Sequence, residues 1–121
     1  MAQTWDVRLH PDFEQEILAA DRDFRGALLA QAQVLEIFGP GLGRPDVDTL
    51  KGSKFANMKE LRFAWQGGVW RVAFAFDPER QAILLVAGDK RGVNQRRFYQ
   101  NLIGVADARY ATHLQALRER K

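Results

Sequence analysis

The 121-residue chain contains no cysteine, which removes disulfides, thiolate nucleophiles and every cysteine-based zinc or iron–sulfur site. Its only histidines are His10 and His113. That count argues against a histidine-rich metal cluster and against a two-histidine ribonuclease site, and leaves only an all-carboxylate metal site formally open. Ser53 is the sole serine and has no histidine near it in sequence, so no Ser/His/Asp arrangement has a setting. Apolar runs of roughly 18 residues, the length that crosses a bilayer, are missing. The opening Met1-Ala2-Gln3-Thr4-Trp5-Asp6 lacks a basic segment followed by an apolar one. A soluble, cytoplasmic protein without a membrane partner is expected. Neither Gly39-Pro40-Gly41-Leu42-Gly43 nor Gly88-Asp89-Lys90-Arg91-Gly92 has the spacing and context of a nucleotide-binding loop. No cofactor is expected.

What is present is ordinary in amount and uneven in distribution. Hydrophobic residues at 46% and charged residues at 27% suit a globular chain, and the length suits one domain over residues 1–121. Residues 1–50 carry four basic side chains against nine acidic ones, a net −5, whereas residues 51–121 carry 14 against six, a net +8. Of the 18 positive side chains 13 are arginine, whose planar guanidinium matches phosphate bidentately, so the C-terminal part suits a polyanion.

Hydrophobic periodicity gives the elements. Trp5 to Leu9 alternates as a half-buried strand ending at His10-Pro11. Phe13, Ile17, Ala20, Phe24, Leu28, Leu35 and Phe38 recur at helical spacing, and Asp21-Arg22-Asp23 with Gly26 allows two helices meeting near Asp21 or one bent helix. Gly39-Pro40-Gly41 stops that helix, and the stretch to Lys54 reads as a loop ending in the basic pair Lys51 and Lys54. Lys59–Trp65 and Val69–Phe76 alternate around Gly67-Gly68, which predicts a hairpin pairing Trp65 with Trp70, Phe63 with Val72 and Leu61 with Phe74 on an apolar face. The other face would carry Glu60, Arg62 and Arg71 among alanines as an open, charged shelf. Ala82–Ala87 is the expected central strand, and Asn94 can cap a last helix with Phe98, Leu102, Ala106, Tyr110, Leu114 and Leu117 as its buried stripe. The fold class is α+β: an N-terminal strand, one or two helices, an antiparallel three-strand meander and a C-terminal helix.

The chemistry-bearing residues that remain are Lys54, Lys59, Glu60, Arg62, Arg71, Lys90, Arg91, Arg96, Arg97 and Tyr99, on elements that meet at one end of the sheet. An RNA backbone can be cut without metal when its own 2′-hydroxyl attacks the adjacent phosphorus, provided a base, an acid and cations for the transition state are supplied. Glu60 could be the base, Arg71, Lys90 and Arg91 could hold the phosphate, and Tyr99 could stack on a base or donate a proton. Lys51, Lys54, Lys59, Arg62, Arg96 and Arg97 would then contact the RNA. Against this stands a simpler reading of Glu60 and Arg71 as cross-strand salt-bridge partners. Tyr110 reads as core, Trp65 and Trp70 as a hairpin pair and His113 as exposed, with no function for either histidine.

The ordered segments Asp48-Thr49-Leu50-Lys51-Gly52, Lys59-Glu60-Leu61-Arg62, Val69-Trp70-Arg71-Val72, Ala87-Gly88-Asp89-Lys90 and Arg97-Phe98-Tyr99 resemble the RelE/HigB superfamily of type II toxin–antitoxin toxins, in its phage-derived HigB-like branch. The resemblance runs from Trp5 to about Leu117. It implies a compact ribonuclease fold, metal-free cleavage of mRNA on the ribosome, and a cognate antitoxin, commonly a small helix-turn-helix protein. It also places the hairpin arginine on Arg71, the basic pair after the last strand on Lys90 and Arg91, and the functional aromatic on Tyr99. RelE itself uses lysines on the first hairpin strand, where this chain reads Met58-Lys59-Glu60, so the lysine base of that archetype is missing or displaced. Two other readings share the fold: a ParE-like gyrase poison, and a non-catalytic module that binds nucleic acid or antitoxin.

Overall fold

The computed structural model describes residues 5–120; the segment Met1–Thr4, on which the expectation about a leader rests, lies outside them. Strand β1 (Asp6–Leu9) leads into helices α1 (Pro11–Leu18) and α2 (Arg22–Phe38), followed by a 3₁₀ turn at Gly39–Gly41 and strand β2 (Val47–Thr49). Strands β3 (Met58–Trp65), β4 (Gly68–Phe76) and β5 (Gln81–Asp89) follow, and α3 (Gln95–Glu119) closes the fold. The α+β class is as expected from the sequence. Two separate N-terminal helices form because Asp21 caps α2, its Oδ1 accepting the Asp23 N–H at 2.7 Å, while Gly26 passes through mid-helix without a break.

The five strands form one mixed sheet in the order β1-β5-β4-β3-β2, with β1 parallel to β5 and the other pairs antiparallel. β4 is therefore the central strand, not β5, because β1 and β2 each add one strand to the meander. The three-residue β2 falls in the stretch expected to be a loop; it is too short to carry a period, and pairs Asp48 with Glu60.

Helices α1 and α2 cover one face with Phe13, Ile17, Phe24, Leu28 and Leu35 over Leu61, Phe63, Val72, Phe74 and Leu84. The opposite face is covered by α3, whose Phe98, Leu102, Ala106 and Tyr110 pack on Met58, Ala73, Ala75, Ile83 and Leu85. The supposed open shelf is thus mostly filled. Ala73 and Ala75 are fully buried, their small side chains letting a helix lie close to the sheet.

The hairpin differs from expectation in register. Gln66 and Gly67, at φ 47° and 76°, form the turn, so Trp65 faces Gly68, Phe63 faces Trp70, Leu61 faces Val72 and Arg62 faces Arg71. Two consecutive residues with positive φ are what a type I′ hairpin turn requires. The shift of two in the pairing sum keeps each side chain on its expected face and changes only its opposite number. Trp65 and Trp70 consequently meet diagonally, ring centroids 6.4 Å apart, and both pack on Phe24.

His113 is not the exposed side chain expected. Its Nε2 lies 2.8 Å from Oδ2 of Asp77, a carboxylate with 0% side-chain exposure. His10 is buried and caps α1, its Nδ1 accepting the Asp12 N–H at 3.1 Å.

Candidate functional site

Alternation along β3 puts Met58, Glu60 and Arg62 on the α3 side of the sheet, and the register brings Ala73 and Arg71 of β4 beside them. α3 begins level with this row. Phe98 presses on Gly88, where a Cβ would lie 2.9 Å from the ring, and Tyr99 reaches across to Glu60. Gly88 permits that approach because it has no side chain to intervene.

Glu60 is only 4% exposed and lies at the centre of a small polar network. The Tyr99 hydroxyl donates to its Oε1 at 2.9 Å, Nη2 of Arg62 donates to its Oε2 at 3.2 Å, and Nε of Arg71 lies 3.6 Å from Oε1. Arg62 is shared with Asp48 at 3.5 Å, and Asp48 in turn pairs with Arg44 at 3.2 Å. Arg71 also donates from Nη1 to the Val69 carbonyl at 3.1 Å. Both arginines keep a buried Nε–H with no hydrogen-bond acceptor. Leaving a buried donor unsatisfied in this way costs stability.

Beside the network opens a pocket of about 320 Å³ lined by Arg44, Asp48, Thr49, Leu50, Lys51, Glu60, Gln95 and Tyr99. Burial, reinforced by the hydrogen bond to Glu60, pushes the Tyr99 phenol above its ordinary 10.0, against the pull of Arg71. Tyr99 therefore stays protonated at neutral pH and acts as a donor. At Asp48 the Thr49 N–H and the Arg44 guanidinium outweigh partial burial and hold the carboxyl below 3.8.

The other sequence candidates separate into groups. Lys90 lies beside two residues of the pocket: its ammonium is 5.9 Å from the centre of the Tyr99 ring and donates to Oε1 of Gln95 at 3.3 Å. Lys51 lines the pocket. Arg91 is drawn to the hairpin turn, pairing with Asp89 and donating to the Gln66 carbonyl at 3.1 Å, with its guanidinium packed over Gly68. Arg96 and Arg97 are exposed on the first turn of α3, whose N–H groups Asn94 caps. Lys54 lies further along α3, where Asp107 holds its loop through Ser53 Oγ and the Lys54 N–H. Lys59 is not brought to the site, because the strand alternation that exposes Glu60 to α3 turns Lys59 to the α1–α2 face.

Sequence reasoning missed Arg44, Asp48 and Gln95 as site residues. Asp48 could have been found only through the short β2 pairing, and Arg44 carries no periodic signal. Among the described residues, no group of three or more His, Cys, Asp or Glu side chains is placed to hold a metal ion, and no helix is long and apolar enough to cross a membrane.

Residues 15–111 match the family described as phage derived protein Gp49-like (DUF891). Over 103 residues the chain is 50% identical to a protein of Mycobacterium tuberculosis named "Putative toxin HigB3", covering 85% of this chain and 88% of that protein. Over 102 residues it is 46% identical to "Putative toxin HigB2" of the same organism, covering 84% of this chain and half of that protein.

Proposed function

The chain belongs to the phage-derived Gp49-like family, and on that premise we propose that it is the toxin of a toxin–antitoxin pair, acting as an endoribonuclease on mRNA at the ribosome. The observation that carries this reading is the buried Glu60 carboxylate set between two guanidinia and the Tyr99 hydroxyl at the mouth of a pocket. Two guanidinia beside one carboxylate suit a phosphodiester, and fixed cations stabilise the charge that grows on the phosphorane oxygens.

In the proposed reaction the substrate's 2′-hydroxyl displaces Tyr99 from one oxygen of Glu60 and gives up its proton to that carboxylate. The 2′-oxygen then bonds to phosphorus, the P–O5′ bond breaks, and a 2′,3′-cyclic phosphate and a 5′-hydroxyl end result. Lys90 supplies the leaving oxygen with its proton. Arg62 and Arg71 hold the non-bridging oxygens, while the Tyr99 ring stacks on a neighbouring base. None of these steps draws on a cofactor. The partners of this reading are mRNA, the ribosome and a cognate antitoxin, for which the net +8 of residues 51–121 offers an electrostatic target.

The test is controlled expression in bacteria with mapping of RNA ends, followed by purified ribosomes with and without chelator. Cleavage inside translated messages that survives chelation supports the reading. Growth arrest with intact messages and damaged DNA would transfer it to gyrase poisoning, and normal growth to a non-catalytic binding module.

A further inference from the structure

Strand β5 has a neighbour along only part of one side. β1 pairs with its residues 81–84 and then stops, because His10-Pro11 opens α1 and proline has no N–H to give to a ladder. Leu84 and Val86 face consecutive residues of β4, Phe74 and Ala73, so Leu85 is bulged out of register where β1 ends. Arg109 donates to the Leu85 carbonyl at 2.7 Å. Beyond that point, among the described residues, positions 86–89 of β5 pair with β4 alone.

Pairing parity fixes which backbone groups are left open. The Leu84 carbonyl accepts the His10 N–H at 2.9 Å, so Leu84 turns its backbone groups to β1, and its match with Phe74 is a non-hydrogen-bonded pair. Two and four residues back along β4, Val72 opposite Ala87 and Trp70 opposite Asp89 have the same parity. The N–H and C=O of Ala87 and of Asp89 therefore point away from β4, into a recess between helices. An apolar cleft of about 280 Å³ lies on the α1–α2 face beside Phe13, Ile17, Phe24, Trp65 and Trp70. A second, of about 220 Å³, lies on the α3 face beside Val93, Phe98, Leu102 and Val105. Ala87 lines both, so the two clefts meet along the open edge. The carboxylates at the first rim are already engaged, Glu16 with Arg109 and Asp21 as the cap of α2, and Asn101 at the second rim is uncharged.

From this juxtaposition of an unpaired strand edge with an apolar cleft on each face of the sheet, we propose that an extended segment of a partner protein completes the sheet, added as a strand beside Ala87. An N–H and a C=O presented side by side at ladder spacing call for a peptide backbone. Alternation sends successive side chains of the added strand to opposite faces. The residue opposite Ala87 enters the cleft at Phe24, Trp65 and Trp70, and its two neighbours enter the cleft at Phe98 and Val105. The segment is thus apolar at three consecutive positions and polar beyond them, where the edge runs into Asp89-Lys90-Arg91. Exposed edges are ordinarily blunted by charge or proline, and Val86-Ala87-Gly88 has neither. A folded second copy does not fit, since its own β5 edge is recessed between the same helices and those helices would meet first. Neither cleft is lined by Glu60, Arg62 or Arg71, so the inference does not rest on the proposed cleavage.

The experiment uses the full ¹⁵N-labelled chain and a library of acetylated, amidated heptapeptides, with valine, leucine or phenylalanine at the three central positions and threonine and lysine on either side. At least one peptide should bind saturably with a dissociation constant on the order of 100 μM, move the Ala87 amide resonance and slow its hydrogen exchange about tenfold or more. Methylating the central backbone nitrogens of that peptide one at a time should abolish binding at alternate positions, because only every second amide faces β5. Val93→Lys and Val105→Lys, at positions 43% and 38% exposed, should each weaken binding about tenfold without loss of the fold. Arg71→Ala, the variant that tests the proposed cleavage, should leave binding unchanged. Equal binding of every N-methylated peptide would reduce the contact to apolar adsorption, and protection of Ala87 by protein concentration alone would make the occupant a second copy; either overturns the proposal. So would a library without a binder, or binding that both lysine variants leave intact.

Discussion

Arg71 illustrates how one side chain can be both scaffold and chemistry. It is half-buried, its Nε lies 3.6 Å from Glu60, and its Nε–H has no acceptor. As a transition-state donor its replacement by alanine should cost on the order of 10² to 10³ in cleavage rate. Glu60 would keep Arg62 and Tyr99, so the stability loss should stay at about 1–3 kcal/mol, more than a surface pair and less than an orphaned buried charge. Cleavage rate and thermal midpoint measured on one preparation separate the two effects; a normal rate with a lowered midpoint would make Arg71 purely structural. Tyr99→Phe keeps the stacking ring and deletes the donor to Glu60. Because the substrate displaces that hydroxyl before the reaction, a rate change of less than about tenfold is expected, against a much larger loss for Tyr99→Ala. Equal losses in the two variants would reject the division between ring and hydroxyl. Glu60, Arg71 and Tyr99 were legible because strand alternation and helix start signals fix their placement. Asp48 and Arg44 were not, because they reach the site through a three-residue strand and its preceding loop.

The elements show the same contrast. Strongly periodic segments were readable from sequence, since the burial of one face dictates their pattern. The parallel pairing of β1 with β5 was not, because it joins Asp6 to Gln81 and nothing local encodes it. The hairpin register differs from the sequence reading because Gly67-Gly68 and Gln66-Gly67 both offer a two-residue turn. A Cβ on Gly68 would lie 2.7 Å from Arg91 Nε, the movable end of a flexible side chain that packs over the strand. Gly88 has a comparable role for the site. Gly88→Ala would set a methyl 2.9 Å from Phe98, and should displace the start of α3, costing about 1–3 kcal/mol and lowering cleavage through the misplaced Tyr99. A chemical-denaturation midpoint and a cleavage rate check it; unchanged values in both would show that α3 can accommodate the methyl.

At the scale of the whole molecule, charge is divided between an acidic N-terminal part and a basic remainder, and acid should act on both. The His10 ring is held below its ordinary 6.5, chiefly by burial. Its folded form binds fewer protons than its unfolded form, so stability present above 6.5 is lost as pH falls through the folded value. Glu16 is held below 4.5 by its hydrogen bond to Arg109, which outweighs partial burial, and contributes stability that is lost at lower pH still. The thermal midpoint should therefore decline in two stages on acidification, and His10→Asn should remove the first. A flat midpoint from neutrality down to the carboxylate range would contradict this.

The central claim is that the Glu60 network cuts messages, and transcriptome-wide mapping of RNA 5′ ends after induction of wild-type and Arg71→Ala chains at equal protein level tests it most directly. The wild-type chain should create new 5′-hydroxyl ends within translated reading frames, and Arg71→Ala should create almost none. Growth arrest by the wild-type chain with no new ends, or the same ends at the same frequency from Arg71→Ala, would contradict it.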